Sequence, residues 1–300
     1  MKMNSRHRFA QATLVLSLLA CAEEPRPEPV AQQPVCSAPE ITGRLPSALF
    51  EASGLAASAS HPGVLWVVTD GGAPILNAID STGNIRSRIR VRGATKRDWE
   101  SLAIARCGQR DCLYIGDIGD NMRERSAIAI YRLIEPSPTD STTAPADRFV
   151  FRYPDGPHDA EAIFVLPGEQ LFVITKGRSE PISVYRAPGP LSNDSIVALE
   201  LVQPLSASFV QLPDMVTGAG ATSDGRWVVL RTYSGVQLYR FEAGSLQPVL
   251  PGNGVDLQAL GEFQGEGVDL RADGTIVLLS EKGLGDGNAP VSRVRCDLTS

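Results

Sequence analysis

The apolar residues of this chain fall into short runs separated by glycine, proline and polar turns. Five runs are almost continuously apolar: residues 65–69 (LWVVT), 113–117 (LYIGD), 171–175 (LFVIT), 227–231 (WVVLR) and 276–280 (IVLLS). Runs of this length and kind predict strands that are buried on both faces. A further strand-like run follows each of them, at 75–79, 128–132, 182–186, 236–240 and 291–295. The pattern therefore predicts a protein built from many short strands.

A small motif opens each repeat, about ten residues before the apolar run. The openings are residues 51–55 (EASGL), 98–102 (DWESL), 159–163 (DAEAI), 215–219 (MVTGA) and 264–268 (QGEGV). Successive openings lie 47, 61, 56 and 49 residues apart, which is the length of a propeller blade and exceeds that of a leucine-rich repeat. Fourth strands are predicted at 85–91, 148–153, 198–202 and 257–263.

These repeats predict an all-β fold, a single β-propeller of five four-stranded blades. The last repeat stops at Ser300 without a fourth strand, and residues 40–50, ahead of the first opening, can supply it. Closing a blade with strands from both ends of the chain removes the open edge of the ring. Six blades result instead if the stretch 188–215 or 243–263 contains further strands. A two-sheet sandwich is the other alternative.

The first 35 residues predict an export signal and a tether. Residues 1–20 have a basic start and an apolar run that is too short to span a bilayer, and they lead into Leu-Leu-Ala-Cys at 18–21. This end looks like a bacterial lipobox with Cys21 as the lipidated residue, and Ala22 favours sorting to the outer membrane. An ordinary signal peptide with a chance cysteine is the alternative. Residues 21–35 are rich in proline and predict an extended tether, which leaves 36–300 for the propeller.

The remaining four cysteines predict two disulfides, because an exported protein matures in an oxidising compartment. Cys107 and Cys112 bracket a short turn, and Cys36 and Cys296 lie at the two ends of the folded part. Three pairings are possible. We favour Cys107–Cys112 with Cys36–Cys296, since the first pair is local and the second joins the ends that ring closure also brings together.

Composition and charge narrow the possible partners. The chain has 28 Gly and 22 Pro, which disfavours a helical bundle. Its net charge is −6, and removal of residues 1–20, which hold three basic residues and no acid, takes it to −9. Such acidity argues against binding to nucleic acid. We expect a monomer that meets the membrane through the lipid on Cys21.

The openings carry the candidate chemistry. The first strand of a blade lines the central channel, so the third residues of the openings should form one ring: Ser53, Glu100, Glu161, Thr217 and Glu266. Strand alternation adds the residues two positions earlier: Glu51, Asp98 and Asp159. Converging carboxylates repel one another, and a cation, basic partners or raised pKa values would offset that repulsion. Oxygen donors in a wide ring favour Ca²⁺. Glutamates that bond the backbone of neighbouring blades, or that catalyse, are the alternatives.

A second tier of polar residues ends the second strands: Asp70, Asp117, Lys176, Arg231 and Glu281. Asp117 lies in 117–121 (DIGDN) and is a candidate cation ligand, with an Asx turn as the alternative. Lys176 and Arg231 are candidate ligand-binding residues, together with Trp99 and Tyr233 near the channel mouth. Trp66 and Trp227 lie inside apolar strands and are predicted core residues. His158 is predicted to be an exposed loop residue.

The openings at 53–56 (SGLA), 98–103 (DWESLA), 159–163 (DAEAI) and 265–268 (GEGV) resemble those of exported bacterial propellers that include the esterase-like phytase group. The resemblance covers residues 50–285 and implies that Glu100, Glu161 and Glu266 line the channel, with calcium bound in some relatives. Two blades depart from the pattern, since Ser53 and Thr217 replace the acid, and there is no dense Lys/Arg cluster for phosphate.

These observations predict a cell-envelope lipoprotein, anchored to the outer membrane and facing the periplasm or the exterior. Its propeller binds a cation, Ca²⁺ in the first place, and serves as a binding module for an envelope protein or a small ligand. The alternative is a calcium-dependent hydrolase of a phosphoester, lactone or glycoside that uses Glu100 and Glu161. The sequence contains no nucleophile elbow, P-loop, dinucleotide fingerprint or zincin motif.

Overall fold

The computed structural model describes residues 33–252, 254–282 and 289–299, and in these ranges the chain is almost entirely β-structure. The predicted signal peptide at 1–20, the lipidation site Cys21 and most of the tether lie outside the described residues. The helical elements of the described part are two single 3₁₀ turns, Ser47–Leu49 and Gln258–Leu260. No helix in the described ranges has the length and apolarity to cross a membrane.

Five sheets follow one another along the chain, as the repeats predict. Strand β1 (Glu40–Arg44) comes first and belongs to the last blade. Blade 1 contains β2 (Ala52–Ala57), β3 (Val64–Thr69), β4 (Ile75–Asp80) and β5 (Ile85–Arg90). Blade 2 contains β6 (Trp99–Cys107), β7 (Arg110–Asp117), β8 (Ile128–Ile134) and β9 (Asp147–Arg152).

The other three blades repeat this order from the axis outward. Blade 3 contains β10 (Ala160–Leu166), β11 (Gln170–Thr175), β12 (Ser183–Arg186) and, after the short strand β13 (Ile196–Ala198), β14 (Glu200–Pro204). Blade 4 contains β15 (Val216–Ala221), β16 (Trp227–Thr232), β17 (Gly235–Glu242) and β18 (Ser245–Pro248), and β19 (Val255–Asp256) also pairs with β17. Blade 5 contains β20 (Gln264–Leu270), β21 (Thr275–Glu281) and β22 (Pro290–Arg295).

The ring closes as predicted. Strand β1 pairs antiparallel with β22, so the N-terminal strand is the outer strand of the last blade. The Cys36–Cys296 disulfide joins the same two chain segments. The Cys107–Cys112 disulfide joins the two strands of the β6–β7 hairpin, so both predicted pairings are confirmed.

Two of the predicted fourth strands differ from the structure. The blade 3 strand begins at Glu200 rather than at 198, because β13 pairs in parallel with β9 and so extends the blade 2 sheet. The prediction of a strand at 257–263 is wrong: β18 is the fourth strand of blade 4, and residues 258–260 form a 3₁₀ turn. The apolar residues of that stretch, Leu257 and Leu260, are buried in the core between blades 4 and 5.

The core consists of apolar clusters between neighbouring blades rather than of one central mass. Each of five clusters combines strands of two adjacent blades. One of them joins blade 5 to blade 1 and so completes the ring. Trp66 and Trp227 are buried in these clusters, as predicted. The first strands β2, β6, β10, β15 and β20 pack against one another in a closed circle around the axis.

Every first strand carries a bulge at the same place. The pairing with the second strand shifts between 52 and 54, 99 and 101, 160 and 162, 216 and 218, and 265 and 268. The residues passed over include those of the predicted ring, Ser53, Glu100, Glu161, Thr217 and Glu266; in blade 5 the shift also passes over Gly267. Small residues follow them because the first strands approach closely. A Cβ on Gly54 would lie 2.7 Å from the backbone N of Leu102, and one on Gly218 would lie 2.6 Å from the backbone O of Glu266.

Candidate site at the channel axis

Three buried glutamates from different blades meet at the axis. Glu100, Glu161 and Glu266 are 8%, 2% and 4% exposed. Burial raises the pKa of the Glu100 carboxyl well above its usual value, and repulsion from Glu161, Asp98 and Glu266 raises it further. Burial and the charge of Glu161 do the same to the pKa of Glu266. The structure thus brings together the three ring acids that the sequence singled out, and it disfavours their charged forms.

Lys176 is the counter-charge inside this ring. Its Nζ lies 2.5 Å from Glu161 Oε1, and both side chains are buried. Burial raises the pKa of Glu161 while the ammonium group of Lys176 lowers it, and the net shift is upward. Burial lowers the pKa of Lys176, but the attraction of Glu161 and of Tyr233 outweighs this and the net shift is upward. Lys176 is one basic group beside three acids, so the acids outnumber the base at the axis.

Asp98 lies close to Glu100. Both carboxylates press against Gly119, where an added Cβ would lie 2.4 Å from Asp98 Oδ2 and 2.7 Å from Glu100 Oε1. Burial raises the pKa of Asp98, and the charges of Asp70 and Asp117 add to the rise, whereas a hydrogen bond with Glu100 and the charge of Arg125 oppose it. The absence of a side chain at position 119 is what admits these two acids to one space.

Several polar atoms around the ring have no partner among the described residues. They are Glu266 Oε2, Asp159 Oδ2 and Thr217 Oγ1, on side chains that are at most 4% exposed. The second carboxylate oxygen of each of these two acids has a partner. Glu266 Oε1 accepts from Gln264 Nε2 at 3.3 Å, and Asp159 Oδ1 accepts from the backbone N–H of Asp120 at 3.1 Å. A buried acceptor without a donor costs about 1–3 kcal/mol. These oxygens are therefore placed to receive a further group.

On the blade 1 side of the funnel, the acids Glu51 and Asp70 lie close to Lys96. Burial raises the pKa of Glu51, and the charge of Asp70 raises it further. Lys96 donates to Thr69 Oγ1 at 3.0 Å and to the backbone O of Gly71, and burial lowers its pKa to about 8. Ser53 differs from the ring acids, because its Oγ donates to the backbone O of Trp99 at 2.5 Å and so ties blade 1 to blade 2.

Asp117 is held by partners of its own. Its Oδ1 lies 2.9 Å from Arg125 Nη1, and its carboxylate accepts the backbone N–H groups of Arg97 and Asp98, each at 3.1 Å. These contacts fix the loop that opens blade 2. The two backbone groups belong to the segment that enters β6, so Asp117 does not form the Asx turn named as the alternative. Its carboxylate is already occupied by these groups and by Arg125.

Two predicted ligand-binding residues, Trp99 and Arg231, are fully buried. Trp99 is fully buried in the core between blades 1 and 2, and its Nε1 donates to the backbone O of Thr95 at 3.3 Å. Arg231 is fully buried as well, paired with Glu262, and it donates to the backbone O of Gly267 and of Leu279, each at 2.9 Å. Trp99 belongs to the packing between blades, whereas Arg231 lies close enough to the ring for its charge to oppose the rise in the pKa of Glu266. Tyr233 does lie at the channel, with its ring 5.8 Å from Lys176 Nζ.

The prediction for His158 is wrong, because the side chain is buried rather than exposed. Its Nε2 lies 2.9 Å from Asp155 Oδ1 and 3.0 Å from the Tyr185 hydroxyl. Its Nδ1 lies 2.6 Å from Glu180 Oε2, an ion-pair contact without hydrogen-bond geometry. The sequence contains little indication of this burial. A histidine after Gly-Pro is typical of a loop, and nothing nearby in the sequence marks Glu180 or Tyr185 as its partners.

Among the described residues, no group of three or more His, Cys, Asp or Glu side chains is gathered closely enough to hold a metal ion as it stands. The arrangement can still bind a positive charge or exchange protons, because its acids outnumber its bases. Glu281, at the end of the second strand of blade 5, extends the acidic patch, and burial followed by the charges of Asp70 and Glu161 raises its pKa to about 7. Perturbed acids that cluster in this way are typical of functional sites.

Comparisons with known proteins identify the fold alone. No protein-family model matches the chain, and no curated protein sequence is significantly similar to it. Among solved structures, the PQQ-bound aldose sugar dehydrogenase of Streptomyces coelicolor matches with a TM-score of 0.51 and 12% identity, over 88% of this chain and 99% of that one. The gluconolactonase XC5397 of Xanthomonas campestris matches with a TM-score of 0.44 and 15% identity, over 91% and 99%. These neighbours are β-propeller enzymes.

We expect the chelated protein to lose stability as the pH is raised from the usual glutamate pKa of 4.5 to neutral. The folded state holds protons on Glu100 and Glu266 more tightly than the unfolded chain does, so their contribution is present below the usual glutamate pKa of 4.5 and is lost as the pH rises above it. Thermal unfolding in EDTA measures this. Glu266→Gln should flatten the slope and raise the melting temperature at the upper pH by a few degrees, at roughly 2–4 °C per kcal/mol.

Glu200→Gln is the matched control for this experiment, because Glu200 is exposed on an outer strand and pairs with Arg186. It should leave the slope unchanged. A wild-type protein that gains stability over the same interval, or an identical slope in Glu266→Gln, would contradict the electrostatic account of the ring.

Proposed function

We propose that this propeller is a binding module whose funnel takes up a cation, with Ca²⁺ favoured over Mg²⁺. The observation that carries the proposal is the surplus of buried, mutually repelling carboxylates at the axis, with buried oxygens that lack partners. Protons and a divalent cation both relieve such repulsion, and near neutral pH a cation does so without protonating the acids. The motif resemblance to the phytase-like exported propellers agrees with this choice.

The proposed donors are Glu100, Glu161, Glu266, Asp98 and Asp159. Their side chains converge from the first strands of three blades, or from the turns that lead into them. Ca²⁺ accepts an irregular set of six to eight oxygens, whereas Mg²⁺ requires a compact octahedron. Binding requires the side chains to close in and Glu161 to exchange Lys176 for the cation. Asp117 is left out because Arg125 and two backbone N–H groups already hold it.

Calorimetric titration of the chelated protein with Ca²⁺ tests the cation site. We expect one equivalent to bind, with an affinity that falls as the pH is lowered, because protons compete for the same carboxylates. Bound Ca²⁺ should raise the melting temperature in proportion to the saturation of the site. Glu100→Gln should weaken binding at least tenfold, and Glu200→Gln should not change it. Absence of any heat or melting shift with Ca²⁺ and with Mg²⁺ would reject the site.

A second candidate function is hydrolysis by Glu100 and Glu161. The observation that favours it is that their surroundings differ: Lys176 is paired directly with Glu161 and favours its charged form. Glu100 has no such pair, and the charges of Glu161, Asp98 and Glu266 raise its pKa while Lys176 opposes them only from a distance. Two acids held in different protonation states can divide acid and base roles. Glu161 would take a proton from the attacking water, and Glu100 would donate one to the leaving oxygen of a phosphoester, lactone or glycoside.

The hydrolase candidate predicts turnover on a panel of these three substrate classes in the presence of Ca²⁺. Glu100→Gln should reduce it by roughly 10²-fold or more. Lys176→Met should shift the rising limb of the pH profile to higher pH, because the pKa of Glu161 rises when the ammonium group is removed. Turnover that survives Glu100→Gln with unchanged pH dependence would remove this candidate.

We also propose that the protein is a lipoprotein of the bacterial cell envelope, anchored through Cys21 and without nucleic-acid partners. The two disulfides support an oxidising compartment, because structural disulfides are rare in proteins of the cytosol. The resemblance of residues 18–21 to a lipobox supplies the anchor. The propeller would then face the periplasm or the exterior as a monomer at the end of its tether, where it can meet an envelope protein or a small ligand.

Fractionation of expressing cells tests the anchor. We expect the wild-type chain in the outer-membrane fraction with a mass that corresponds to an acylated N-terminus at Cys21. Cys21→Ser should release the chain or leave it unprocessed, and Ala22→Asp should retain it at the inner membrane. A chain that fractionates identically with Ser at position 21 would show that the cysteine is not the anchor.

A further inference from the structure

A cleft of about 770 Å³ opens at the same end of the propeller as the acidic ring. Its lining comes from loops at that end: Arg178 after β11, Leu212 and Met215 before β15, Tyr233 after β16, and Phe263 before β20. Leu212 is 67% exposed and Phe263 is 56% exposed. Volumes of this size and apolar linings are typical of small-molecule sites.

Arg178 is the one uncompensated charge among the residues that line this cleft. Glu262 also lines it, but its side chain is 4% exposed and is paired with the fully buried Arg231. Arg178 is exposed and makes no ion pair with any residue in the described ranges; its Nη1 donates to Asn121 Oδ1. The cleft is therefore apolar with a single positive charge, although the protein as a whole is acidic.

The cleft adjoins the axial site through two of its lining residues. The ring of Tyr233 lies 5.8 Å from Lys176 Nζ, and Gln264 Nε2 donates to Glu266 Oε1 at 3.3 Å. A molecule that rests on Tyr233 and Gln264 is thus one side chain away from the ring acids. The cleft and the ring form two compartments of one funnel with opposite charge.

We propose that this cleft binds an amphipathic anion, a small molecule with an apolar body and a carboxylate or comparable anionic group. The apolar body packs on Leu212, Met215 and Phe263, and the anionic group pairs with the guanidinium of Arg178. Arginine suits this role because its planar donors match a carboxylate in two-point contact. The proposal depends on the residues of the cleft and not on the cation site.

Decanoate and decyltrimethylammonium, which share a ten-carbon tail and differ in charge, test the proposal by calorimetric titration in EDTA. We expect decanoate to bind at one site and the cationic probe to bind at least tenfold more weakly. Arg178→Gln should weaken decanoate binding about tenfold, and Leu212→Ser should weaken it as well. Arg226→Gln is the matched control, since this exposed arginine pairs with Asp224 at the opposite end of the blade. Melting curves of each variant verify that it folds.

Equal affinity for the two probes, an unchanged affinity in Arg178→Gln, or no binding of decanoate would each overturn the proposal. The titration is repeated with Ca²⁺ to separate the two sites. Decanoate that binds only when Ca²⁺ is present would be held by the cation, and this would reject the cleft while supporting the axial site. Binding that is the same with and without Ca²⁺ supports the cleft, whatever the outcome for the cation.

Discussion

The close approach of the five first strands around one axis is the constraint on which the rest of the structure depends. The backbones are so close at Gly54 and Gly218 that an added Cβ would lie 2.7 and 2.6 Å from the backbone of the next blade. Each strand bulges at the same point, and the bulged residue has no cross-strand partner. Its side chain is therefore free to serve the channel instead of the sheet. The small residue after each ring position and the release of the ring side chain from the sheet are two consequences of one geometry, and three of the five blades place a glutamate there.

This geometry sets the electrostatics of the funnel. The first strands that carry the ring acids also pack into the apolar clusters between blades. This packing holds the acids close together against their mutual repulsion. The burial that raises the pKa values of Glu100 and Glu266 comes from the same packing. Removing one partner from such a cluster changes the protonation of the others, because coupled groups titrate as a set. The ring acts as one unit rather than as three separate carboxylates.

The sequence predicted the blades, the closure and both disulfides because each depends on local pattern and on repetition along the chain. It also predicted which acids meet at the axis, since an equivalent place in each repeat means an equivalent place in the ring. It did not predict the burial of Trp99, Arg231 or His158, which depends on partners far away in sequence: Tyr131 for Trp99, Glu262 for Arg231 and Glu180 for His158. Strand alternation predicts only approximately where Asp98 and Asp159 lie. A bulge at each ring residue interrupts the two-residue period on which that prediction depends.

The way charges are paired separates fixed positions from exchangeable ones. Arg125 and Arg231 neutralise acids while also donating to backbone carbonyl groups, so each is held at several points. Lys176 holds Glu161 through one ammonium group on a flexible stem, and a lysine of this kind can be displaced at lower cost than an arginine held at several points. The arginine pairs are thus held at several points, whereas the lysine pair at the axis is held at one. Because its arginines are fixed at several points and Lys176 at only one, the fold leaves the pair at the axis as the place where a charge can be exchanged.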